Sequence, residues 1–129
     1  MSIDEILAMK TWAVVGLGNS PERPAFSVAK VLQNHGHRIV PVHPRAETVH
    51  GEIGYKTLGD IPFPIDVVDC FVASERVGEI VDQAIAIGAK AVWLQLGVID
   101  QAAIDRAHAA GILAVMDHCP AIEYKKRGR

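Results

Sequence analysis

Short, nearly unbroken apolar runs recur along the chain and alternate with amphipathic stretches of helix length. TWAVVGL (11–17), HRIVPVH (37–43), VVDCFV (67–72), AVWLQL (91–96) and LAVMD (113–117) have this character. Such runs suit strands buried on both faces, as in a parallel sheet with helices on each side. The stretches between them supply the helices. Ser2 and Glu5, at capping-box spacing, open one predicted over 3–10. Phe26, Ala29, Val31 and Leu32 keep helical spacing over 24–35, and Gly36 follows as a stop. Val77, Ile80, Val81, Ala84 and Ile85 form the buried face of a helix that Ser74 is placed to cap and Gly88 ends. Asp100 is placed to cap a further helix, 101–110, ended by Gly111. The expectation is an α/β, doubly wound domain with a mostly parallel five-stranded sheet in the order 3-2-1-4-5 and right-handed crossovers. Ligands of such sheets bind beyond the carboxyl ends of the strands, at the switch point beside strand 1. Residues 44–65 form one long loop, punctuated by Pro44, Gly51, Gly54, Gly59, Pro62 and Pro64. Long loops in small domains are often functional.

The 129 residues are half apolar and 22% charged, enough for a core without staples. Cys70 and Cys119 are too few for a disulfide framework. One domain over 1–129 is expected, with the basic tail 125–129 as a loose, solvated end. The opening MSIDEILAMK has acids where a secretory signal needs cations, and no apolar run reaches membrane-spanning length. The expected location is the cytoplasm, with no membrane partner. A formal net charge of −2 gives no general attraction to nucleic acid. Local charge says more. Residues 23–46 carry Arg23, Lys30, Arg38 and Arg45 and no acid, whereas 47–124 carry four cations and twelve acids.

The turn after strand 1 reads GLGNSPERPAFS (16–27). Gly16 and Gly18 allow a tight turn and close approach of a phosphate, and the helix that follows offers free N–H groups. A dinucleotide fingerprint needs a third glycine where Pro21 stands, and an acid where strand 2 ends in His43, Pro44 and Arg45. An ordinary NAD site is therefore disfavoured. Arg23 and Arg45 would converge at one sheet edge, where their forked guanidiniums suit phosphate. That points to a nucleotide with an extra ribose phosphate, for which NADP and coenzyme A both qualify. Gln95 lies near the carboxyl end of strand 4, where a buried amide needs a partner in a loop or a ligand. Val72 and Ala73 offer a small apolar wall. Cys119, in DHCP (117–120), is a candidate for a place beside the ligand, and Cys70 for a buried small hydrophobe. None of the six histidines has metal-ligand spacing, and no serine-histidine-aspartate order or G-x-S-x-G occurs.

The stretches 13–45, 60–81, 84–98 and 115–123, with IGAKAVWLQLGV and the Pro-x-Arg-Pro turn as the most specific parts, resemble the small stand-alone CoA-binding proteins. These are similar to the CoA-binding domain of the succinyl-CoA synthetase α subunit and of ADP-forming acyl-CoA synthetases. The resemblance implies a Rossmann-like, nucleotide-binding fold with coenzyme A as its ligand. On it, Gly16, Leu17, Gly18 and Asn19 would line the nucleotide turn and Arg23 would meet phosphate. Phe26, Ser27 and Val28 would present the helix start to the diphosphate. Pro44 and Arg45, after His43, match the Asn-Pro-Arg-like segment near the adenosine 3′-phosphate. Val72 and Ala73 would flank the nucleotide or pantetheine, Gln95 and Gly97 would sit by the pantetheine arm, and Cys119 falls in the Cys-Pro segment.

The chain departs from the pattern at Gly18, Ala25, Phe26, His43 and His118, where serine or threonine, serine, tyrosine, asparagine and arginine are usual. Two lost bonds to charged groups, each worth roughly 1.5–3 kcal/mol, would weaken binding by more than about tenfold. The phosphorylated histidine and other domains of the synthetases lie outside the matching segment. The resemblance thus implies a protein that binds CoA or acyl-CoA without synthetase machinery, with a protein partner in acyl-CoA metabolism as one further expectation. The alternatives are an NADP-binding reductase and an acyl- or thiol-transfer enzyme acting through Cys119.

Overall fold

The computed structural model describes residues 2–129. Along the chain lie α1 (Ser2–Leu7), β1 (Thr11–Val15), α2 (Pro24–Asn34), β2 (Arg38–Val42), a 3-10 turn (Leu58–Asp60), β3 (Val67–Cys70), α3 (Ser74–Ala86), β4 (Ala91–Leu94), α4 (Gln101–Ala109), β5 (Leu113–Val115) and α5 (Pro120–Lys126). All five strands pair in parallel. Both faces of the sheet are covered, so the α/β doubly wound class is as expected.

The strand order is not. The sheet runs β2-β1-β3-β4-β5, where 3-2-1-4-5 was expected. Two features place β3 inside and β2 at the edge. All four residues of β3 are buried, which suits an interior strand. Pro41 sits in mid-β2 and has no N–H to give a neighbour. In the expected order β2 would be flanked on both sides, and Pro41 would break one ladder. In the structure the Pro41 side of β2 faces outward. There the Pro41 carbonyl accepts from the Tyr55 N–H (3.0 Å), and the His43 N–H donates to the Tyr55 carbonyl (3.0 Å). Tyr55 thus blunts the edge, and the 44–65 segment is packed against the sheet rather than free of it.

Alternation along each strand splits the core in two. Ala13, Val15, Val68, Cys70, Val92 and Leu94 face α3 and α4. Trp12, Val14, Val67 and Trp93 face α1, α2 and α5. Asp100 caps α4 as expected, accepting from the Ala103 N–H at 3.0 Å. Ser74 does not cap α3; it is the first residue of that helix, and Ala73 is the N-cap. Its hydroxyl accepts from the Ile99 N–H (2.9 Å) and lies within donating distance of the Gly97 carbonyl (3.3 Å), tying down the β4–α4 loop. The C-terminal residues are engaged. Arg127 pairs with Asp4 (2.7 Å) and Glu123 (3.0 Å). Among the described residues no helix is long and apolar enough to cross a membrane.

Candidate functional site

With β1 flanked by β2 on one side and β3 on the other, the chain leaves the sheet in opposite directions from adjacent strands. A crevice opens at their carboxyl ends, as doubly wound sheets require. Gly16 makes the exit from β1. Its N–H donates to the Val42 carbonyl (2.8 Å). Its φ is +99°, and a Cβ there would lie 2.4 Å from the Phe71 carbonyl oxygen. Only glycine fits. The chain then reaches α2, whose N-cap is Arg23 with no side-chain cap, so the positive end of the helix is not screened by a neighbouring side chain.

Two clefts meet here. The first, about 510 Å³, lies over the ends of β1, β2 and β3, on the α3 side. Arg23, Arg45 and Arg76 enter it from three different elements, with His43 and Pro44 beside them. Among the described residues none of these arginines pairs with a carboxylate, although Arg106 and Arg127 do. Glu47 is the one acid in the lining, and its Oε1 accepts from the Asn19 N–H (3.3 Å). A dianionic group would meet a net cationic cleft.

The second cleft, about 400 Å³, lies between the start of α2, the ends of β3 and β4, and the start of α5. It is mainly apolar, lined by Ala25, Val28, Leu96 and Val98, with Gln95 and Cys119 among them. Gln95 is 5% exposed and its Oε1 has no partner. Among the described residues the only other buried unpartnered side-chain oxygens are those of Asp69, two positions back on the same sheet face and one strand over. Gly16, Arg23, Phe71, Val72 and Ala73 line both clefts, so the two are halves of one groove, charged at one end and apolar at the other.

Most of the residues singled out from the sequence line this groove: Gly16, Gly18, Arg23, His43, Pro44, Arg45, Val72 and Ala73 in the charged half or at the join, and Val28, Gln95 and Cys119 in the apolar half. Five lie elsewhere. Leu17 is fully buried in the core. Asn19 ties the turn to the long loop through the Thr48 carbonyl (2.8 Å). Phe26 packs on His50, ring centroids 4.3 Å apart. The Ser27 hydroxyl turns back to the Pro24 carbonyl (3.3 Å). Gly97 shapes the loop after β4, with φ +78° and its N–H on Asp117 (2.8 Å). Cys70 points into the opposite core layer, where burial pushes its thiol well above the usual range.

Arg76 was missed by sequence reasoning. It lies outside the acid-free window, and the available signal was its place in the first turn of the helix leaving β3, beside the switch point. No cluster of metal-ligating side chains occurs among the described residues.

Residues 10–125 match the family model described as a CoA binding domain. The uncharacterized protein YneT of Bacillus subtilis (strain 168) is 33% identical over 118 residues, covering 91% of this chain and 87% of that protein. A hypothetical protein from Pyrococcus horikoshii OT3 is 41% identical, with a TM-score of 0.91 over 96% of this chain and 88% of its own. The α subunit of acetate–CoA ligase [ADP-forming] II from Pyrococcus furiosus is 31% identical over 81 residues, 62% of this chain and 18% of the subunit.

Proposed function

The chain belongs to the CoA-binding domain family, and from that premise we propose that its groove binds coenzyme A or an acyl-CoA, as a binding protein rather than a synthetase. The observation that carries the reading is the join of the two clefts. CoA has an anionic end, with a diphosphate and a 3′-phosphate, and a long arm that carries amides and ends in a thiol. The groove has Arg45 and Arg76 at one end, Arg23 at the join, and an unpartnered amide oxygen among apolar side chains at the other end. Arg23 and the start of α2 would hold the diphosphate, and Arg45 with Arg76 the 3′-phosphate. Val72, Ala73 and the bare backbone of Gly16 would bear on the middle of the ligand. Gln95 Oε1 would accept from an amide N–H of the arm, which removes the cost of leaving that oxygen unpaired.

The test is isothermal titration with CoA, dephospho-CoA and NADP. CoA should bind best. Dephospho-CoA should bind about 10–100-fold more weakly, the worth of roughly 1.5–3 kcal/mol of charged hydrogen bonding. Arg45→Ala should weaken CoA by a similar factor and dephospho-CoA much less. NADP binding in place of CoA would overturn the reading. Equal affinity for CoA and dephospho-CoA would remove the role given to Arg45.

A further inference from the structure

Cys119 lies in the apolar half of the groove, away from Arg45 and Arg76, with Arg23 at the join between the halves. It lines the apolar half with Gln95, Leu96 and Val98. Arg45 follows β2 at one edge of the sheet, and the chain after β5 turns back over β4, where the His118 N–H donates to the Leu94 carbonyl (3.4 Å) and the His118 carbonyl accepts from Trp93 Nε1 (2.9 Å). Three inter-strand steps of about 4.8 Å separate β2 from β4, or about 14 Å across the carboxyl ends. On the proposed reading of the groove, a CoA whose phosphates lie on the arginines has its single thiol at the far end of an arm crossing in that direction. Gln95 supplies a second, independent sign that a ligand reaches this far. It is 95% buried in the same cleft, and its side-chain oxygen has no partner in the protein. Cys70, the other thiol, is sealed in the opposite core layer.

We infer that Cys119 receives the thiol end of the ligand, and that the protein captures CoA from its symmetric disulfide as a mixed disulfide at Cys119. The Cys119 thiol gives up its proton, and its sulfur attacks one sulfur of CoA disulfide. The S–S bond between the two CoA moieties breaks as the Cys119–CoA bond forms. The second CoA leaves as a thiolate and takes up a proton. CoA disulfide is itself the oxidant, so no further electron acceptor enters. Attack by a free thiol reverses the step. The groove directs the reaction by holding the phosphates, so the modification is specific to CoA among disulfides.

The test is intact mass of the full chain under non-reducing conditions after incubation with CoA disulfide. Wild type and Cys70→Ser should gain one CoA-sized increment that dithiothreitol removes. Cys119→Ser should gain none while keeping the wild-type thermal unfolding transition, which shows that it is folded; Cys119→Ala serves if serine disturbs the start of α5. Arg45→Ala should be labelled about tenfold more slowly below saturation, equivalent to about 1.4 kcal/mol of lost binding. Labelling that survives Cys119→Ser, or equal labelling by glutathione disulfide, overturns the inference. Absence of any increment with CoA binding intact also overturns it and leaves the proposed function standing. Absence of both defeats the two together.

Discussion

Asp69 is the residue whose chemistry is least expected where it stands. It lies in the central strand, opposite Val14 on one side and Trp93 on the other, fully buried with neither oxygen bonded. Burial alone pushes its carboxyl well above the usual carboxylate range, which favours the protonated form. Its folded value exceeds its unfolded one. The stability tied to keeping that proton is therefore complete below about pH 4 and is lost as pH rises through the folded value. Asp69→Asn should flatten the decline in stability from about pH 4 upward. Urea unfolding across the acid-to-neutral range measures it, and an unchanged slope would assign the decline to another group. Gln95 is the contrasting case, since its unpartnered oxygen lines an open cleft and a ligand can satisfy it.

The elements are arranged so that loops, not strands, shape the groove. The β4–α4 loop contributes Leu96 and Val98 to the apolar half and is held from the far side by Ser74 at the start of α3. Removing the hydroxyl leaves the Ile99 N–H without that partner and frees the loop. Ser74→Ala should therefore lower stability by about 1 kcal/mol and also weaken CoA binding. Asp100→Ala, which deletes the α4 cap, should cost a similar ~1 kcal/mol but leave CoA affinity nearly unchanged, because Asp100 does not line the groove. Thermal unfolding paired with titration separates the two effects. Equal loss of affinity in both variants would show that the loop answers to overall stability, not to its tie.

Across the whole molecule the C-terminal helix closes the layer formed by α1 and α2. Tyr124 is buried, its ring stacks on His35 at 3.9 Å, and its hydroxyl bonds His37 Nε2. Burial holds the His37 imidazole below its usual pKa, so it is neutral near pH 7. Its Nδ1–H then donates to the Met9 carbonyl (2.8 Å), which leaves Nε2 to accept from Tyr124. Protonation turns that bond round, with Nε2–H donating to the Tyr124 oxygen while the hydroxyl donates to the Leu7 carbonyl (3.2 Å). Burial is therefore what opposes the charged form. The stability tied to the neutral form is present above about pH 6.5 and is lost as pH falls through the lowered folded value. Tyr124→Phe should cost about 1–3 kcal/mol for the unpaired Nε2, and His37→Phe should flatten the acid-side loss of stability. Chemical denaturation at several pH values tests it, and an unaltered acid limb would release His37 from this role.

The fold class was legible because burial on both faces demands consecutive apolar residues, a purely local pattern in 11–15, 67–70 and 91–94. The convergence of Arg23 and Arg45 at the end of β1 and the tight Gly16 turn were legible because β1 and β2 are sequence neighbours and the turn needs a positive φ. The strand order was not read from the sequence, although Pro41, whose missing N–H belongs at an edge, was a signal for it. The convergence of Arg76 with Arg23 and Arg45 was not legible, because it depends on β3 lying beside β1. Nor did the sequence separate Leu17, Phe26 and Ser27 from the groove-lining residues around them, since one turn of backbone decides which side chains face a cleft. Local composition specified the elements and the chemistry available at their ends. Only packing decided which ends meet, because sheet order is a competition among whole faces that no single segment carries.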